Sequence, residues 1–255
     1  MSSALSRGRA ARGAFEQLAR AQRPVLFLDL DGTLAPLVAR PMTARVPPST
    51  RRIIQRLRRG GATVVLVSGR SVVGVQRVAQ MRVDAILGDH GARLWRGGQT
   101  RTWLPANRSR FLRIAGRVAP RLARMRGVRL EQKDRSFAIH LRLPHVSNES
   151  TSRRITRLLE AEGMRVLRGR RVLDAQLPGV DKGRAVRRWL RQNPRIDAVL
   201  YAGDDTTDHD AFRALGSRAL TIAVGPRLHG ALLRSRDPAT FAAWLGRLAE
   251  ARLAR

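Results

Sequence analysis

Pro24-Val25-Leu26-Phe27-Leu28 runs directly into Asp29-Leu30-Asp31-Gly32-Thr33. The five apolar residues read as a buried strand, and a Gly-Thr turn follows the two acids. Side chains alternate along an extended segment, so positions 29 and 31 face the same way. Both carboxylates can therefore address one small object at the strand's C-terminal edge. The turn adds backbone N–H groups that can meet an anion. This arrangement suits phosphoryl transfer through an aspartyl-phosphate, with Asp29 as nucleophile and Asp31 as acid/base. An ordinary strand-to-turn junction gives the same five letters, so the remainder of the chain has to decide.

The chain has 255 residues, 43% of them hydrophobic, enough for one large domain or a core with a smaller companion. No apolar run reaches the length of a membrane span. Cysteine is absent, which excludes disulfides and thiolate metal sites and permits a reducing compartment. The formal net charge is +31. The arginines behind it are spread over nearly every expected element rather than gathered on a stripe. With 4% aromatic residues there is little to stack on bases. We therefore expect salt-sensitive adhesion to polyanions but no specific nucleic-acid partner and no membrane partner. Lysine occurs only twice, at Lys133 and Lys182. In so Arg-rich a chain, a lysine marks a place where a compact point charge is wanted rather than a planar fork.

Residues 1–23 form an Arg-rich lead-in with a short amphipathic helix around Phe15, Leu18 and Ala19. From Pro24 strands and helices alternate. Strands are expected at 25–28, 63–67, 84–87, 198–202 and 219–224, and helices at 49–59, 72–80, 182–192 and 208–215. Short apolar strands separated by helices imply an α/β fold, a parallel sheet covered by helices on both faces. The middle reads differently: helix 111–125, strands 128–132 and 137–143, helix 150–162, and strands 165–168 and 171–177. That is a smaller α+β unit inserted into the core, expected to cover its site. The boundaries are 24–106 and 179–255 for the core and 107–178 for the insertion.

Three further motifs stand at expected strand ends. Ser68-Gly69-Arg70 follows an apolar strand and offers a hydroxyl and N–H groups to a phosphate oxygen, although Ser-Gly also begins helices. Lys182, in Gly179-Val180-Asp181-Lys182-Gly183, supplies an ammonium at the start of a helix, where a cation is mildly disfavoured by the helix dipole. Gly203-Asp204-Asp205-Thr206-Thr207-Asp208 places three acids within five residues after a strand. Such an oxygen-rich site suits Mg²⁺, or alternatively an acidic helix cap.

In this order the four motifs resemble the haloacid-dehalogenase (HAD) superfamily of phosphotransferases, with a Rossmann-like core and an inserted α+β cap. The resemblance runs from about Pro24 onward. It implies Asp29 and Asp31 as the catalytic pair. Thr33, Ser68, Gly69 and Lys182 would bind phosphate. Mg²⁺ would be held by Asp29, Asp31, Asp204 and Asp205, with Asp208 behind them. Closer wording resembles the trehalose-6-phosphate phosphatases. Gly203-Asp204-Asp205-Thr206-Thr207-Asp208-His209-Asp210-Ala211-Phe212 is similar to that family's GDDxTDExxF signature. His90-Gly91-Ala92 and the segment Glu131-Gln132-Lys133…Ser136…His140-Leu141-Arg142 also fit. Carried over, Glu131, Lys133 and Asp174 would face the sugar and His90 would line the entrance.

The chain departs from that pattern at Arg93, where an acid is usual, and at His209, where Glu is usual. It departs again at Asp174 and Gln176, where the cap phrase usually has Glu and Arg. These departures spare the phosphoryl machinery and fall on sugar recognition. The resemblance implies a cytoplasmic, monomeric, Mg²⁺-dependent phosphatase of trehalose 6-phosphate, serving trehalose biosynthesis. Two alternatives stay open from sequence: a phosphatase of another sugar phosphate, and a catalytically idle Arg-rich anion- or nucleic-acid-binding protein on the same fold.

Overall fold

A computed structural model describes residues 9–104, 107–132, 136–141, 145–169, 172–226 and 228–255. The chain divides into two compact units, one of Met1–Leu104 with Asp181–Arg255 and the other of Pro105–Val180.

The first unit is built on an eight-stranded sheet. Its strands are β1 (Pro24–Leu28), β2 (Thr63–Val67), β3 (Ala85–Gly88), β4 (Arg93–Arg96), β5 (Gln99–Thr102), β10 (Ala198–Gly203), β11 (Leu220–Val224) and β12 (Leu233–Ser235). They lie in the order β12-β11-β10-β1-β2-β3-β4-β5. All neighbours from β12 to β3 are parallel, and β4 and β5 close one edge as an antiparallel hairpin. β1 and β11 are buried at every position, as strands covered on both faces must be. Successive strands run outward from β1 in opposite directions, so β1 is the switch point where open α/β sheets keep their ligands.

Alternation along β1 assigns its side chains to two layers. Leu26 and Leu28 join the large apolar cluster that includes residues of α1 (Arg9–Arg20), α2 (Pro48–Arg59), α3 (Val72–Ala79) and α8 (Pro238–Leu253). Phe27 faces the other way, packing edge-on against Trp189 of α6 (Lys182–Gln192) and beside Tyr201 of β10. Tyr201 in turn meets Phe212 of α7 (His209–Leu215). Helices therefore cover both faces, as the sequence pattern requires. Among the described residues, no helix is long and apolar enough to cross a membrane.

One buried arginine ties this unit together. The Arg252 guanidinium donates to the carbonyls of Leu18, Ala19 and Ala21 and to that of Gly60. It thereby satisfies carbonyls that α1 and α2 leave open at their C-termini. Desolvation lowers its proton affinity, yet the carbonyl oxygens around it accept the charge.

The second unit carries α4 (Arg108–Ala123), β6 (Val128–Gln132), β7 (Ser136–Leu141), α5 (His145–Ala161), β8 (Arg165–Gly169) and β9 (Val172–Gln176). Its four strands are antiparallel in the order β6-β7-β9-β8. Phe137, Ile139, Leu141, Leu173 and Ala175 form its core with residues of α4 and α5. Both helices begin earlier than the apolar spacing indicates. Asn107 accepts from the Arg110 N–H and caps α4, whose first residue lies three before the first apolar position. The hairpin β4–β5 was also not expected, although Gly97 and Gly98, at φ 57° and 83°, supply the left-handed pair such a turn needs. Helix α8 and strand β12 were likewise outside the expected set. The Lys133 and Arg142 positions lie outside the described residues.

Candidate active site

The carboxyl ends of β1, β2 and β10 stand side by side, and each carries one of the sequence motifs. Asp29 continues the β1 ladder, its N–H donating to the Ala202 carbonyl at 2.9 Å. Its side chain lies on the same face as Phe27, the face that α6 covers. Trp189 of α6 packs on Phe27, and Lys182 lies seven residues, or two helical turns, earlier on that helix face. The helix thus delivers the Lys182 ammonium to Asp29. Nζ lies 2.7 Å from Asp29 Oδ1 and 2.8 Å from Asp208 Oδ1. Lys182 is only 3% exposed, so it is not an ordinary solvated helix-start residue.

Asp208 is fully buried and receives four donors. Lys182 Nζ and the Tyr201 hydroxyl, at 2.6 Å, reach Oδ1. The backbone N–H groups of Asp204 and Asp205, both at 3.2 Å, reach Oδ2. Asp205 returns the favour by accepting from the Asp208 N–H, which makes a capping box at the short turn Thr206–Asp208. Among the described residues, the group of three carboxylates that come within 4.8 Å of one another is Asp29, Asp204 and Asp208. The Asp31 and Asp205 side chains, also expected at the metal, are not in that group. Asp205 serves the cap, and Asp31 is gripped by Arg70, whose Nε and Nη2 each donate to it at 2.6 Å. The same Nη2 donates to the Pro41 carbonyl at 2.9 Å. Arg70 belongs to the quoted Ser-Gly-Arg motif, but no role was read for it. A guanidinium three letters into a strand-end loop is the signal that could have shown it, because its fork matches a carboxylate.

Crowding of acids in a dry place has a measurable electrostatic consequence. Burial pushes the Asp29 carboxyl up to about 8, with Asp208 and Asp31 adding to the rise and Lys182 opposing it. Asp204 is pushed up to about 9, first by burial and then by Asp29 and Asp208. The Lys182 ammonium is held more firmly protonated than usual, because the two carboxylates outweigh its desolvation. The Tyr201 hydroxyl is held protonated by burial and by Asp208 beside it. Carboxyls that cannot all shed their protons together are a donor set that a divalent cation fits, since its charge offsets the repulsion.

The surrounding loops form a close cradle. Gly32, at φ 81°, lies so near Asp204 that a Cβ would fall 2.1 Å from its Oδ2. Thr33 is fully buried, and its Oγ1 has no hydrogen-bond partner among the described residues. A buried hydroxyl in that condition needs an acceptor or a water. Ser68 is 2% exposed, and its Oγ accepts from the Arg70 N–H at 3.1 Å. Asp89, His90 and Gly91 follow β3 with φ of 52°, 56° and 99°, a run that non-glycine residues rarely adopt. That turn clasps the Ser68–Gly69–Arg70 loop: His90 N–H donates to the Ser68 carbonyl and Asp89 N–H to that of Arg70. The His90 ring covers Gly69, where a Cβ would meet Cε1 at 2.6 Å. His90 is therefore packed against the cradle, and its strained backbone has no sequence signal beyond the following glycine.

In the second unit the sheet register places Glu131, Ala138 and Asp174 in one row across β6, β7 and β9. Glu131 and Asp174 thus share the face opposite the apolar core. Glu131 Oε2 lies 3.3 Å from His140 Nε2; the Glu131 side chain is exposed and that of His140 is half-buried. Gln176, on the same face by alternation, is buried.

A family model described as trehalose-phosphatase matches residues 27–229. A protein of Mycobacterium tuberculosis, called an uncharacterized glycosyl hydrolase, is 30% identical over 92% of this chain and 19% of its own length. The trehalose-phosphate phosphatase of Mycobacterium ulcerans is 30% identical over 89% of this chain and 62% of its own length. The chain thus spans less than two thirds of these curated relatives. Among solved structures, the C-terminal domain of the Candida albicans trehalose-6-phosphate phosphatase superposes with a TM-score of 0.81 at 21% identity, covering 98% of both chains.

Proposed function

Because the chain belongs to the trehalose-phosphatase family, we propose that it is a Mg²⁺-dependent phosphatase that hydrolyses trehalose 6-phosphate through an aspartyl-phosphate on Asp29. The observation that carries this reading is the Lys182 ammonium. It is shared between Asp29 and Asp208 at the meeting point of three strand ends, beside Asp204.

Mg²⁺, held by Asp29 and Asp204, would neutralise phosphate charge and let a carboxylate approach a dianion. The chain's own groups account for the remaining chemistry. Lys182 carries three donors, two of them engaged by carboxylates, and it holds Asp29 in one orientation. The Thr33 hydroxyl, the Ser68 hydroxyl and the N–H groups around Gly69 receive the phosphoryl oxygens. An Asp29 oxygen forms the new bond to phosphorus as the ester P–O bond breaks. Asp31 gives its proton to the departing sugar oxygen. Asp31 then takes a proton from water, whose oxygen bonds to phosphorus and releases Asp29. The Arg70 fork occupies both Asp31 oxygens and orients the carboxyl, so Asp31 has to give up one arm of that fork while it carries the proton. Glu131, Asp174 and Lys133 are proposed to recognise the sugar hydroxyls, and the enzyme is proposed to act as a cytoplasmic monomer.

The deciding measurement is phosphate release from trehalose 6-phosphate, glucose 6-phosphate, mannosyl phosphate and sucrose phosphate, each with Mg²⁺ and with EDTA. We expect Mg²⁺-dependent turnover with trehalose 6-phosphate preferred. Preference for another sugar would make Asp174 and Gln176 the residues that switch specificity. No turnover on any of the four would overturn the reading.

A further inference from the structure

We propose that Tyr201 is a positioning residue: its hydroxyl fills the last acceptor site of Asp208, and so keeps Asp208 holding Lys182 on Asp29 in the place behind the metal that the family resemblance gives it, rather than turning to the cation. The metal half of this inference rests on the Mg²⁺ reading above.

A carboxylate offers about four lone-pair sites. Those of Asp208 are all taken, two by N–H groups of Asp204 and Asp205 and two by Lys182 and Tyr201. Proximity to Asp29 and Asp204 makes Asp208 look like a third ligand. The hydrogen-bond count argues the opposite, because ligation would strip donors from a side chain with no solvent access. Tyr201 decides the matter. It stands in register with Phe27 on the neighbouring strand, in the same aromatic layer with Phe212. A phenylalanine would satisfy the packing there, as it does at position 27. Among the described residues the hydroxyl serves only Asp208, at a distance typical of an O–H donor on a carboxylate. Without it Asp208 would keep an open site toward the cation and a looser hold on Lys182. With it the protein lends the cation few side chains, and coordination positions remain for substrate oxygens and water.

Tyr201 is the chain's only tyrosine, so the tyrosine Fermi doublet in the Raman spectrum reports this hydroxyl alone. In the metal-free protein we expect the pattern of a strong donor, and the same pattern when calorimetry shows Mg²⁺ to be saturating. A weak-donor pattern without metal overturns the proposal. So does a change on adding Mg²⁺, which would mean that Asp208 had turned to the cation. A titration without heat at two temperatures, together with a thermal midpoint that Mg²⁺ does not raise, overturns the Mg²⁺ reading and the metal half of this inference, while the metal-free doublet still decides the Tyr201–Asp208 contact. Tyr201→Phe keeps the ring. It is expected to lower kcat about tenfold or more, as loss of a supporting hydrogen bond does at metal sites, with the Mg²⁺ Kd within about twofold of the parent. Unchanged kcat overturns the positioning role, and a Kd weakened about tenfold overturns the statement that Asp208 is not a ligand. Should the parent release no phosphate, the function falls and the spectroscopic outcomes still judge this contact.

Discussion

The strand-end cluster of the first unit and the polar sheet face of the second carry similar residue types in opposite conditions. Asp29, Lys182, Asp204 and Asp208 are nearly or wholly buried, and the two bonds from the Lys182 ammonium are short, 2.7 and 2.8 Å. Glu131 and His140, 3.3 Å apart, are far less buried, at 55% and 33% side-chain exposure. In the first case the dry surroundings magnify each charge, and removal of a partner strands the other. In the second, water screens the pair, and its worth to the fold is small. Groups proposed to do the chemistry are held by the structure itself. Groups that would recognise a sugar gain their importance only from the ligand.

Asp29→Asn should produce the largest separation between the two regions. We expect kcat to fall by about 10⁴-fold or more, since the nucleophile is lost, with the fold retained by circular dichroism. Residual turnover near the parent's would remove Asp29 from the mechanism. Lys182→Met leaves Asp29 and Asp208 buried without a cation and should cost about 3–5 kcal/mol in urea unfolding. A cost under about 1 kcal/mol would show that water reaches the cluster and that it resembles the exposed face after all.

The pH dependence tests the same contrast more gently. Asp29 and Asp204 have folded-state values raised from 3.8 to about 8 and about 9. Their protonated forms are thus favoured by folding, so their contribution is complete below about pH 4 and is lost as pH rises through 8 to 9. The thermal midpoint of the metal-free protein should fall across that window, and saturating Mg²⁺ should flatten the fall. A midpoint that rises with pH there would reverse the assignment. The smallest effect on folding belongs to Glu131→Gln, less than about 1 kcal/mol in the same urea assay. Its KM for trehalose 6-phosphate should rise several-fold more than its KM for p-nitrophenyl phosphate. Equal changes in the two would take Glu131 out of sugar recognition.

The same contrast explains what could be read beforehand. Asp29, Ser68, Lys182 and Asp204 were legible because a parallel sheet brings strand ends together, and the letters after each strand reveal which groups arrive there. Tyr201 was not legible, because it sits inside an apolar strand where its hydroxyl looks incidental. The Arg70 grip on Asp31 needed two loops 39 residues apart to meet, and the left-handed backbone of Asp89 and His90 has no local residue that demands it. Gly97-Gly98 was a turn signal in plain view. In the second unit the strands were legible from alternation, while the row joining Glu131 to Asp174 depends on register, which one sequence does not specify.

The order of the sheet also sets a timetable for synthesis. β1 lies between β2 and β10, yet the whole of the second unit is encoded between those two neighbours. At ribosomal speeds the stretch from β1 to β10 takes roughly 10 to 30 seconds to emerge. Through that interval the strand that leads into Asp29 has one unsatisfied edge, made of Val25, Leu26, Phe27 and Leu28. The inserted unit, being continuous, is available whole before the β10 partner exists. The nascent chain is therefore most vulnerable to wrong strand partners between these two events, and chaperone dependence should peak there.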